Sequence, residues 1–364
     1  MELTFFQKVK EFFKRYERHV SSGALVVGFV IDSFALQRID LPQTSILLFA
    51  YLFISGFGIT LLNLFESKRV IWPRLYNFHP WILSAVQFAF GGLFSGFVLF
   101  YFRSASLGVS FLFVALLASL LIGNELFKQR YARVGFQMSI YFFVLFSFCI
   151  LYVPVVVKRM GDLVFIGSGV VSLILMTLFV LFVRRVAPIQ IKKGGYSVWL
   201  SVFAIYLIIH VFYFLNILPP IPLSLKAMGV YHYIERVQDV YIVQSEKETF
   251  KNFFTLYDPI HIAKGDPLYV YSSVFAPTDL QTKIIYHWQY YDEKDKAWIT
   301  TGTLAFPIVG GRDGGYRGYS VKDNFFPGKW RISLETERGQ TIGRVRFTII
   351  ETSGSIPLET GVRS

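Results

Sequence analysis

Long apolar runs separated by short polar connections fill the first 218 residues of the chain. An apolar helix of about 20 residues matches the hydrocarbon thickness of a bilayer, so runs of this length are candidate spans. Seven runs qualify: 20–36, 43–65, 80–102, 105–124, 135–157, 163–183 and 198–218. Residues 20–218 are therefore predicted to form an all-α membrane bundle of about seven transmembrane helices, the first of which is the shortest.

Residues 1–19 follow a different pattern, in which apolar residues recur at helical spacing with five Lys and Arg between them. A helix of this kind lies in the headgroup layer of a membrane rather than across it. The charged stretch is too long for a cleaved signal peptide. We therefore predict an interfacial amphipathic helix before the bundle.

Three prolines, Pro219, Pro220 and Pro222, follow the last apolar run and stop its helix, because proline lacks an amide hydrogen. Residues 219–237 are interpreted as a Pro-rich linker with a juxtamembrane helix in 224–237. The last residues, 353–364, are rich in Ser, Gly and Thr and are predicted to form a flexible tail.

Alternating apolar and polar positions mark the part of the chain between these two segments. Such alternation predicts strands with one buried face. The runs are 267–275, 282–291, 303–309, 329–336 and 343–350. Polar segments at 292–296 and 337–340 predict hairpin turns. Residues 238–352 are therefore expected to form a small all-β, Ig-like antiparallel sandwich.

The composition and its distribution support this division. The chain is 54% hydrophobic and only 16% charged, whereas soluble domains carry about 25% charged residues. The net charge of +12 is concentrated before residue 219, where it is +11, and is only +1 afterwards. Since the polar domain is nearly neutral, nucleic-acid binding is excluded as an interpretation of the charge.

The positive charges also predict an orientation. With the amino-terminal helix included, one set of alternate connections holds 15 basic residues and the other holds four. Basic connections stay in the cytoplasm. The amino terminus is therefore predicted to be cytoplasmic and the β domain extracytoplasmic, in a bacterial cytoplasmic (inner) membrane with the lipid bilayer as a partner.

Small and polar residues inside the apolar runs predict close helix contacts. The small residues are Gly56, Gly58, Gly92, Gly96, Gly167 and Gly169. The amides Asn63, Gln87 and Gln137 are expected to add hydrogen bonds between helices.

The strongest candidate for ligand binding is the glycine-rich segment GGRDGGYRGYSVK, residues 310–322. Glycine allows positive φ angles, and successive backbone amides in such a turn form a concave anion site. The side chains proposed to assist are Arg312, Tyr316, Arg317, Tyr319 and Lys322, since Arg grips carboxylates or phosphates and Tyr stacks on sugar rings. The alternative is a hairpin loop with a structural role only.

Charged residues on two adjacent predicted strands suggest a second feature. Arg331 and Glu335 on one strand are expected to pair with Arg344 and Arg346 on the next. We interpret these residues as a cross-strand ladder of solvent-exposed charge pairs rather than as a binding site.

Two ionisable residues, Asp32 and His210, fall within the apolar runs. A charged side chain in the bilayer centre is costly and therefore needs a partner or water. A pairing of Asp32 with His210 would provide a proton or ion path, which makes a transporter or channel subunit the alternative function. Helix association or an interfacial position is the simpler interpretation.

No catalytic or cofactor motif accompanies these features. The sequence has no HExxH, CxxC, GxSxG or P-loop, and its histidines lack metal-ligand spacing. Cys149, the single cysteine, allows no disulfide. We therefore predict no metal and no cofactor. A membrane enzyme acting on lipid-linked substrate is the third-ranked hypothesis.

The segments 265–289, 310–320 and 327–347 together resemble an uncharacterised bacterial family, the domain of unknown function 2914. The lead-in PPIPLSLKAMGVYHYIER, residues 219–236, is similar to that of the family's membrane-anchored members. The resemblance implies a bacterial envelope protein and no particular activity. The leading hypothesis is a membrane-anchored module whose β domain binds or senses an envelope glycan, peptide or partner protein.

Overall fold

The computed structural model describes residues 27–67, 78–104, 107–124, 133–247, 256–312 and 314–363. The predicted amphipathic helix at 1–19 lies outside them. The described chain divides into two compact units. One comprises 1–100, 112–153 and 165–214, and the other comprises 101–111, 154–164 and 215–364.

Helices account for the described part of the chain up to Phe214. Helix α1 is described over 27–35. It is followed by α2 (Pro42–Glu66), α3 (His79–Ser104), α4 (Leu107–Gly123), α5 (Val134–Val157), α6 (Asp162–Val186) and α7 (Pro188–Phe214). Five of these, all but α1 and α4, are long and apolar enough to cross a membrane.

The last helix differs from its prediction at both ends. It begins ten residues early, at Pro188, and a backbone break at Gly195, where φ is 51° and ψ is −138°, divides it. It ends at Phe214 rather than at residue 218. Glycine accommodates this positive φ without a Cβ clash, so Gly195 separates a short basic helical segment from the long apolar one.

Glycines create the close helix contacts within the first unit. A Cβ on Gly92 of α3 would lie 2.4 Å from Cε2 of Tyr51 in α2, and one on Gly56 would lie 2.7 Å from the Tyr141 hydroxyl. Similar contacts form at Gly58, Gly96 and Gly169, but a Cβ on Gly167 would meet nothing within 4 Å. The prediction is therefore confirmed at five of the six glycines.

Two polar contacts also join helices of this unit. Asn63 Nδ2 donates to Gln137 Oε1 at 2.6 Å, as predicted. Ser139 Oγ donates to Ser201 Oγ at 2.8 Å. At Gln87 the backbone carbonyl, rather than the side-chain amide, accepts a bond from Asn124 Nδ2 at 2.9 Å.

Strands form the structure from Ser224 onward. They are β1 (Ser224–Tyr231), β2 (Tyr233–Val237), β3 (Val240–Glu246), β4 (Asp258–Ile262), β5 (Leu268–Phe275), β6 (Gln281–Asp292), β7 (Ala297–Val309), β8 (Tyr316–Lys322), β9 (Gly328–Thr336), β10 (Thr341–Glu351) and β11 (Leu358–Arg363). All five predicted strands and both predicted hairpin turns are present.

The two segments that flank the predicted sandwich are strands as well. The expected juxtamembrane helix at 224–237 is wrong, because these residues form β1 and β2. The expected flexible tail contains β11, which pairs with β3. Backbone pairing with partners distant in sequence outweighs the local composition of both segments.

These strands form three sheets rather than two. Their orders are β4-β10-β9-β6-β7, β1-β5-β8 and β11-β3-β2. The pairing is antiparallel except between β4 and β10, which are parallel. The expectation of a purely antiparallel domain is therefore wrong at this pair.

The sheet β1-β5-β8 lies between two apolar clusters. Val270 and Val274 of β5 share the larger cluster with Trp288 and Trp330 of the five-stranded sheet. Tyr271, from the opposite face of β5, joins a smaller cluster with Tyr231, Ile234, Tyr241 and Val243. Both faces of β5 are thus covered, whereas alternation alone predicted a single buried face.

Hydrogen bonds between buried side chains link the two sheets that enclose the larger cluster. The hydroxyl of Tyr286 in β6 lies 2.6 Å from Ser272 Oγ and donates to the Gly318 carbonyl at 3.1 Å. Trp288 Nε1 donates to Ser320 Oγ at 3.1 Å. The buried polar atoms that link these sheets are therefore satisfied, as a stable core requires.

We predict that Gly92→Ala destabilises the helical unit, because the added methyl overlaps the Tyr51 ring. The expected loss is about 1–3 kcal/mol in free energy of unfolding, measured by denaturant titration in detergent. Gly167→Ala is the matched control and should be neutral or slightly stabilising, since open space surrounds that site. Equal stabilities for the two variants would contradict the proposed close contact.

Candidate functional site

The glycine-rich loop between β7 and β8 is held by its own backbone amides. The Gly310 amide donates to the Leu280 carbonyl at 2.9 Å, and the Gly311 amide donates to the Ala276 carbonyl at 3.2 Å. The Gly315 amide donates to the Arg312 carbonyl at 3.0 Å. Because these donors are engaged within the protein, the predicted backbone anion site is not available at these three positions.

Steric restriction explains why glycine occupies this loop. A Cβ on Gly310 would lie 1.7 Å from the Pro277 carbonyl oxygen, and Gly311 and Gly315 have φ angles of 110° and 83°. Both conditions disfavour any other residue. The glycines therefore serve a close chain approach, which is the structural alternative considered for this segment.

The five predicted ligand-binding side chains divide between the two faces of β8. Tyr316 and Lys322 lie on the side of the larger cluster, where Tyr316 stacks on Phe306 with ring centroids 6.1 Å apart. Lys322 Nζ donates to the Thr301 carbonyl at 3.4 Å. Arg312, in the preceding loop, lies over the Tyr316 ring at 5.8 Å. These three residues are separated from the other two.

Arg317 and Tyr319 lie on the opposite face of β8. Arg317 Nη1 donates to the Asp239 carbonyl at 2.6 Å, which fixes the guanidinium against the turn between β2 and β3. Its Nε is buried and has no hydrogen-bond partner among the described residues. A buried, unpaired donor on a charged group is unusual, since such groups are normally satisfied.

Tyrosine rings surround Tyr319. Its ring centroid lies 6.2 Å from that of Tyr241 and 6.2 Å from that of Tyr269. Tyr269 contacts Tyr233 edge to face at 6.0 Å. Tyr233 and Tyr319 are 42% and 41% exposed, so their rings are accessible to a ligand. We call Tyr233, Tyr269, Tyr319 and Arg317 the tyrosine surface.

Buried tyrosines support the tyrosine surface from beneath. Tyr231, Tyr241 and Tyr271 belong to the smaller apolar cluster. Burial raises the pKa of Tyr271, while the nearby Arg317 guanidinium opposes this shift. Arg363 Nε of β11 donates to the Tyr231 hydroxyl at 2.9 Å. The cluster is therefore neutral and aromatic, with cationic side chains at its margin.

Several of these residues lie where the sequence interpretation placed a linker helix and a tail. Tyr231, Tyr233 and Arg363 belong to β1, β2 and β11. Tyr241 belongs to β3, which lies within the predicted sandwich but outside the strands predicted for it. Alternation in VYIVQSE, residues 240–246, was the available signal, since Tyr241 and Val243 are buried and flanked by partly exposed positions. The segment is short, and its place in a sheet is seen only from its pairing with β2 and β11 in the structure.

The two intramembrane candidates occupy separate surroundings. Asp32 of α1 lies near Ser95 and Tyr51. His210 of α7 is enclosed by the rings of Phe146, Phe165 and Tyr206, and its Nδ1 lies 2.9 Å from the Tyr206 carbonyl. Within the described residues no ion pair or hydrogen bond joins Asp32 to His210. The structure thus offers no support for the relay between them.

Three acid–base side chains meet elsewhere in the β domain. Glu246 of β3 contacts His261 Nδ1 at 2.8 Å and His232 Nε2 at 3.2 Å. Its Oε1 also accepts a hydrogen bond from the His261 amide at 2.6 Å. In the described parts of the chain no group of His, Cys, Asp and Glu has an arrangement suited to a metal ion.

Comparison with known proteins identifies part of this domain. Residues 281–349, from the first residue of β6 to near the end of β10, match the family model "Protein of unknown function (DUF2914)". The predicted resemblance to this family is therefore confirmed for this stretch. It contains β6, β7, β8, β9 and most of β10, and therefore Arg317 and Tyr319 of the tyrosine surface.

Other comparisons add no functional information. No curated protein matches the chain. Among solved structures, a Pseudomonas fluorescens alkylpurine DNA glycosylase AlkC, bound to DNA containing an abasic site analog, is similar at 9% identity. The match covers 83% of this chain and 97% of that chain, with a TM-score of 0.23. A similarity at this level carries no inference about fold or function.

We predict that the β domain loses stability at alkaline pH through Tyr271. A raised folded-state pKa means that the neutral form is favoured in the folded protein, so this contribution is complete below the unfolded pKa of about 10 and declines above it. In urea unfolding followed by tryptophan emission, Tyr271→Phe should lose less stability between pH 9 and 11 than the parent.

Tyr319→Phe is the control for this measurement, because Tyr319 is 41% exposed whereas Tyr271 is buried. Its stability should fall with pH as steeply as that of the parent. If Tyr271→Phe shows the same decline as both, Tyr271 is not a source of the alkaline sensitivity.

Proposed function

We propose that the chain is a multi-pass protein of the bacterial cytoplasmic (inner) membrane whose carboxyl-terminal β domain lies outside the cytoplasm and binds an envelope ligand. In this proposal α1 to α7 are transmembrane helices, and the β domain is a small sandwich with Ig-like packing extended by a third sheet. The ligand is a glycan, a peptide or a partner protein of the envelope. The tyrosine surface is its binding site.

The outward-facing residues of the helices support insertion in lipid. Phe53, Phe88 and Leu163 are 72%, 68% and 86% exposed. In water, a large set of such side chains would form an apolar surface that soluble proteins avoid. In a bilayer the same side chains face hydrocarbon, and a 25-residue helix spans about 37 Å.

The connection between α5 and α6 supports the proposed sidedness. Residues 154–164 belong to the same compact unit as the β domain. Within this unit Lys158 Nζ lies 2.6 Å from Asp279 Oδ2, Asp162 pairs with Arg338, and Met160 packs against the larger cluster. Two spans, α6 and α7, separate this connection from β1. Two crossings return the chain to the same side, in agreement with the distribution of basic residues.

The tyrosine surface is the observation that carries the binding proposal. Exposed aromatic rings offer faces for stacking on sugars or peptide side chains, and they are enriched at binding sites because they are large and rigid. The adjacent Arg317 carries a cationic guanidinium, and such a group is suited to an oxyanion. The expected ligand therefore combines a flat or ring-shaped group with a carboxylate or phosphate.

The transport alternative lacks a comparable observation. It requires a continuous polar path, whereas His210 is enclosed by aromatic rings and Asp32 contacts a different set of helices. We therefore retain binding as the proposed function.

We predict that the full-length protein in mild detergent sediments with purified peptidoglycan sacculi, an insoluble envelope polymer of amino sugars and acidic peptides. Arg317→Gln and Tyr319→Leu should each reduce the sedimented fraction at least fivefold, because they remove the oxyanion donor and a stacking ring. The measurement is the bound fraction after centrifugation, with folding checked by circular dichroism.

Arg312→Gln is the matched control. It makes the same change in charge in the loop that precedes β8, but Arg312 lies with Tyr316, away from the tyrosine surface. This variant should sediment like the parent. Equal losses in Arg312→Gln and Arg317→Gln, or no sedimentation of the parent, would contradict binding of this polymer at the tyrosine surface.

A further inference from the structure

Three arginines lie together on the outer face of the five-stranded sheet. In β9 Trp330, Ile332 and Leu334 point into the larger cluster, so Arg331 and Ser333 between them face outward. In the antiparallel register with β10, Arg346 is directly opposite Arg331, and Arg344 is opposite Ser333. The predicted ladder of opposite charges is therefore wrong, because the opposed side chains at its centre carry the same charge.

Directly opposed like charges destabilise a sheet. Glu335 is the carboxylate of the described chain that attracts Arg331 and Arg344, and it does not form a short pair with any of the three arginines. It is opposite Thr341 in the register and lies 3.6 Å from His287 Nε2. The arginines are thus held next to one another without an equal number of acidic partners.

Side-chain contacts hold two of the guanidinium groups in place. Arg331 Nε donates to Gln289 Oε1 at 2.7 Å, and its guanidinium lies 4.2 Å from the centre of the Trp298 ring. Arg344 Nε donates to Ser333 Oγ at 2.8 Å. In both residues the bond uses Nε only. Their Nη groups have no hydrogen-bond partner among the described residues, nor has any part of the Arg346 guanidinium.

Burial and mutual repulsion lower the pKa values of Arg331 and Arg344. The pKa of Arg331 is lowered first by burial and then by Arg344 and Arg346. The pKa of Arg344 is lowered by burial and by Arg346, while Glu335 opposes this. Both groups remain cationic at neutral pH, since arginine loses its proton only in strongly alkaline solution. An anion placed among them would relieve this repulsion.

We propose that Arg331, Arg344 and Arg346 form a binding site for a phosphate dianion, either free or as a terminal phosphate monoester. Three arginines and Glu335 give a net charge of +2, which a phosphate monoester of charge near −2 neutralises. Guanidinium groups fixed through Nε present their remaining donors as forks that match phosphate oxygens. Trp298, stacked on Arg331, forms one wall of this arginine site.

The arginine site is separate from the tyrosine surface. It lies on the outer face of the five-stranded sheet, whereas Arg317 and Tyr319 lie on β8 of another sheet. All three arginines lie within residues 281–349, the stretch that matches the DUF2914 family model. The inference therefore stands whether or not the tyrosine surface binds an envelope ligand.

The test uses the full-length protein in phosphate-free, non-ionic detergent. Inorganic phosphate is titrated at constant ionic strength, with chloride as the balancing anion, and tryptophan emission is recorded. Because Arg331 covers the Trp298 ring, binding should change the emission with a saturable dependence on phosphate, and Trp298→Phe should lose the signal. An identical response to chloride alone would overturn the proposal.

Arg346→Gln is the decisive variant, since it removes a guanidinium that has no hydrogen-bond partner among the residues the structure describes. We expect its affinity for phosphate to be at least tenfold lower than that of the parent. Lys283→Gln is the matched control, because Lys283 is an exposed cation on the same sheet that pairs with Glu337 at 3.2 Å. Its affinity should be unchanged. Equal affinities for Arg346→Gln and Lys283→Gln would also overturn the proposal.

A stability measurement separates binding from a structural role. Without phosphate, Arg346→Gln should be at least as resistant to urea as the parent, because the substitution relieves the repulsion from Arg331. With phosphate, the parent should gain resistance and the variant should not. A variant that is less stable than the parent in phosphate-free buffer would show that Arg346 serves the fold, which contradicts a site built for a ligand.

The source of the phosphate is resolved by two further probes. Glycerol 3-phosphate is the soluble monoester, and phosphatidylcholine vesicles containing phosphatidic acid present the same group on a lipid. Binding of the soluble probe alone assigns a metabolite or soluble polymer end, and binding of the vesicles alone assigns a lipid headgroup. Failure of inorganic phosphate, glycerol 3-phosphate and vesicles alike would overturn the proposal.

Discussion

The helical part and the β domain of this protein form hydrogen bonds to their buried backbone groups in different ways. In hydrocarbon, amides and carbonyls without partners cost several kcal/mol each, so a single chain segment crosses only as a helix. The apolar segments up to Phe214 have this form. Beyond it, the chain satisfies its backbone between strands, which bring together residues far apart in sequence. The helical and the strand-rich parts of the chain differ for this reason.

The middle sheet gives the β domain its functional geometry. Because β5 is covered on both faces, it joins the larger apolar cluster to the tyrosine-rich one. The edge strand β8 then presents Tyr316 and Lys322 on one face and Arg317 and Tyr319 on the other. The tyrosine surface thus depends on a third sheet, β11-β3-β2, whose side chains cover the outer face of β5.

Helix positions could be predicted from the sequence because each depends on a local property. An apolar run such as 135–157 is long enough to be recognised as a helix from the sequence alone, and the structure has α5 at Val134–Val157. Gly92 and Asn63 were likewise recognisable, since small and polar residues in apolar helices have few other roles. Strands with clear alternation, such as β9 and β10, were equally accessible to this reasoning.

The features that were not predicted depend on pairing between strands that are far apart in the sequence or on the register of that pairing. Nothing local in 224–237 indicates that β1 pairs with β5, or that residues near the carboxyl terminus pair with β3. The register of β9 and β10 likewise decides whether Arg346 meets Glu335 or Arg331, and a shift of a few residues reverses the conclusion. Candidate site residues could therefore be named from the sequence, but their grouping could not.

The central claim is that the β domain lies outside the cytoplasm, and cysteine accessibility tests it most directly. Cys149 is buried in α5, so Cys149→Ala provides a background without thiols. Asp295→Cys in the β6–β7 turn and Lys192→Cys before the break in α7 then report on opposite sides. In intact spheroplasts, a membrane-impermeant maleimide should label Asp295→Cys, and it should label Lys192→Cys only after permeabilisation. Labelling of Lys192→Cys with protection of Asp295→Cys would contradict this account.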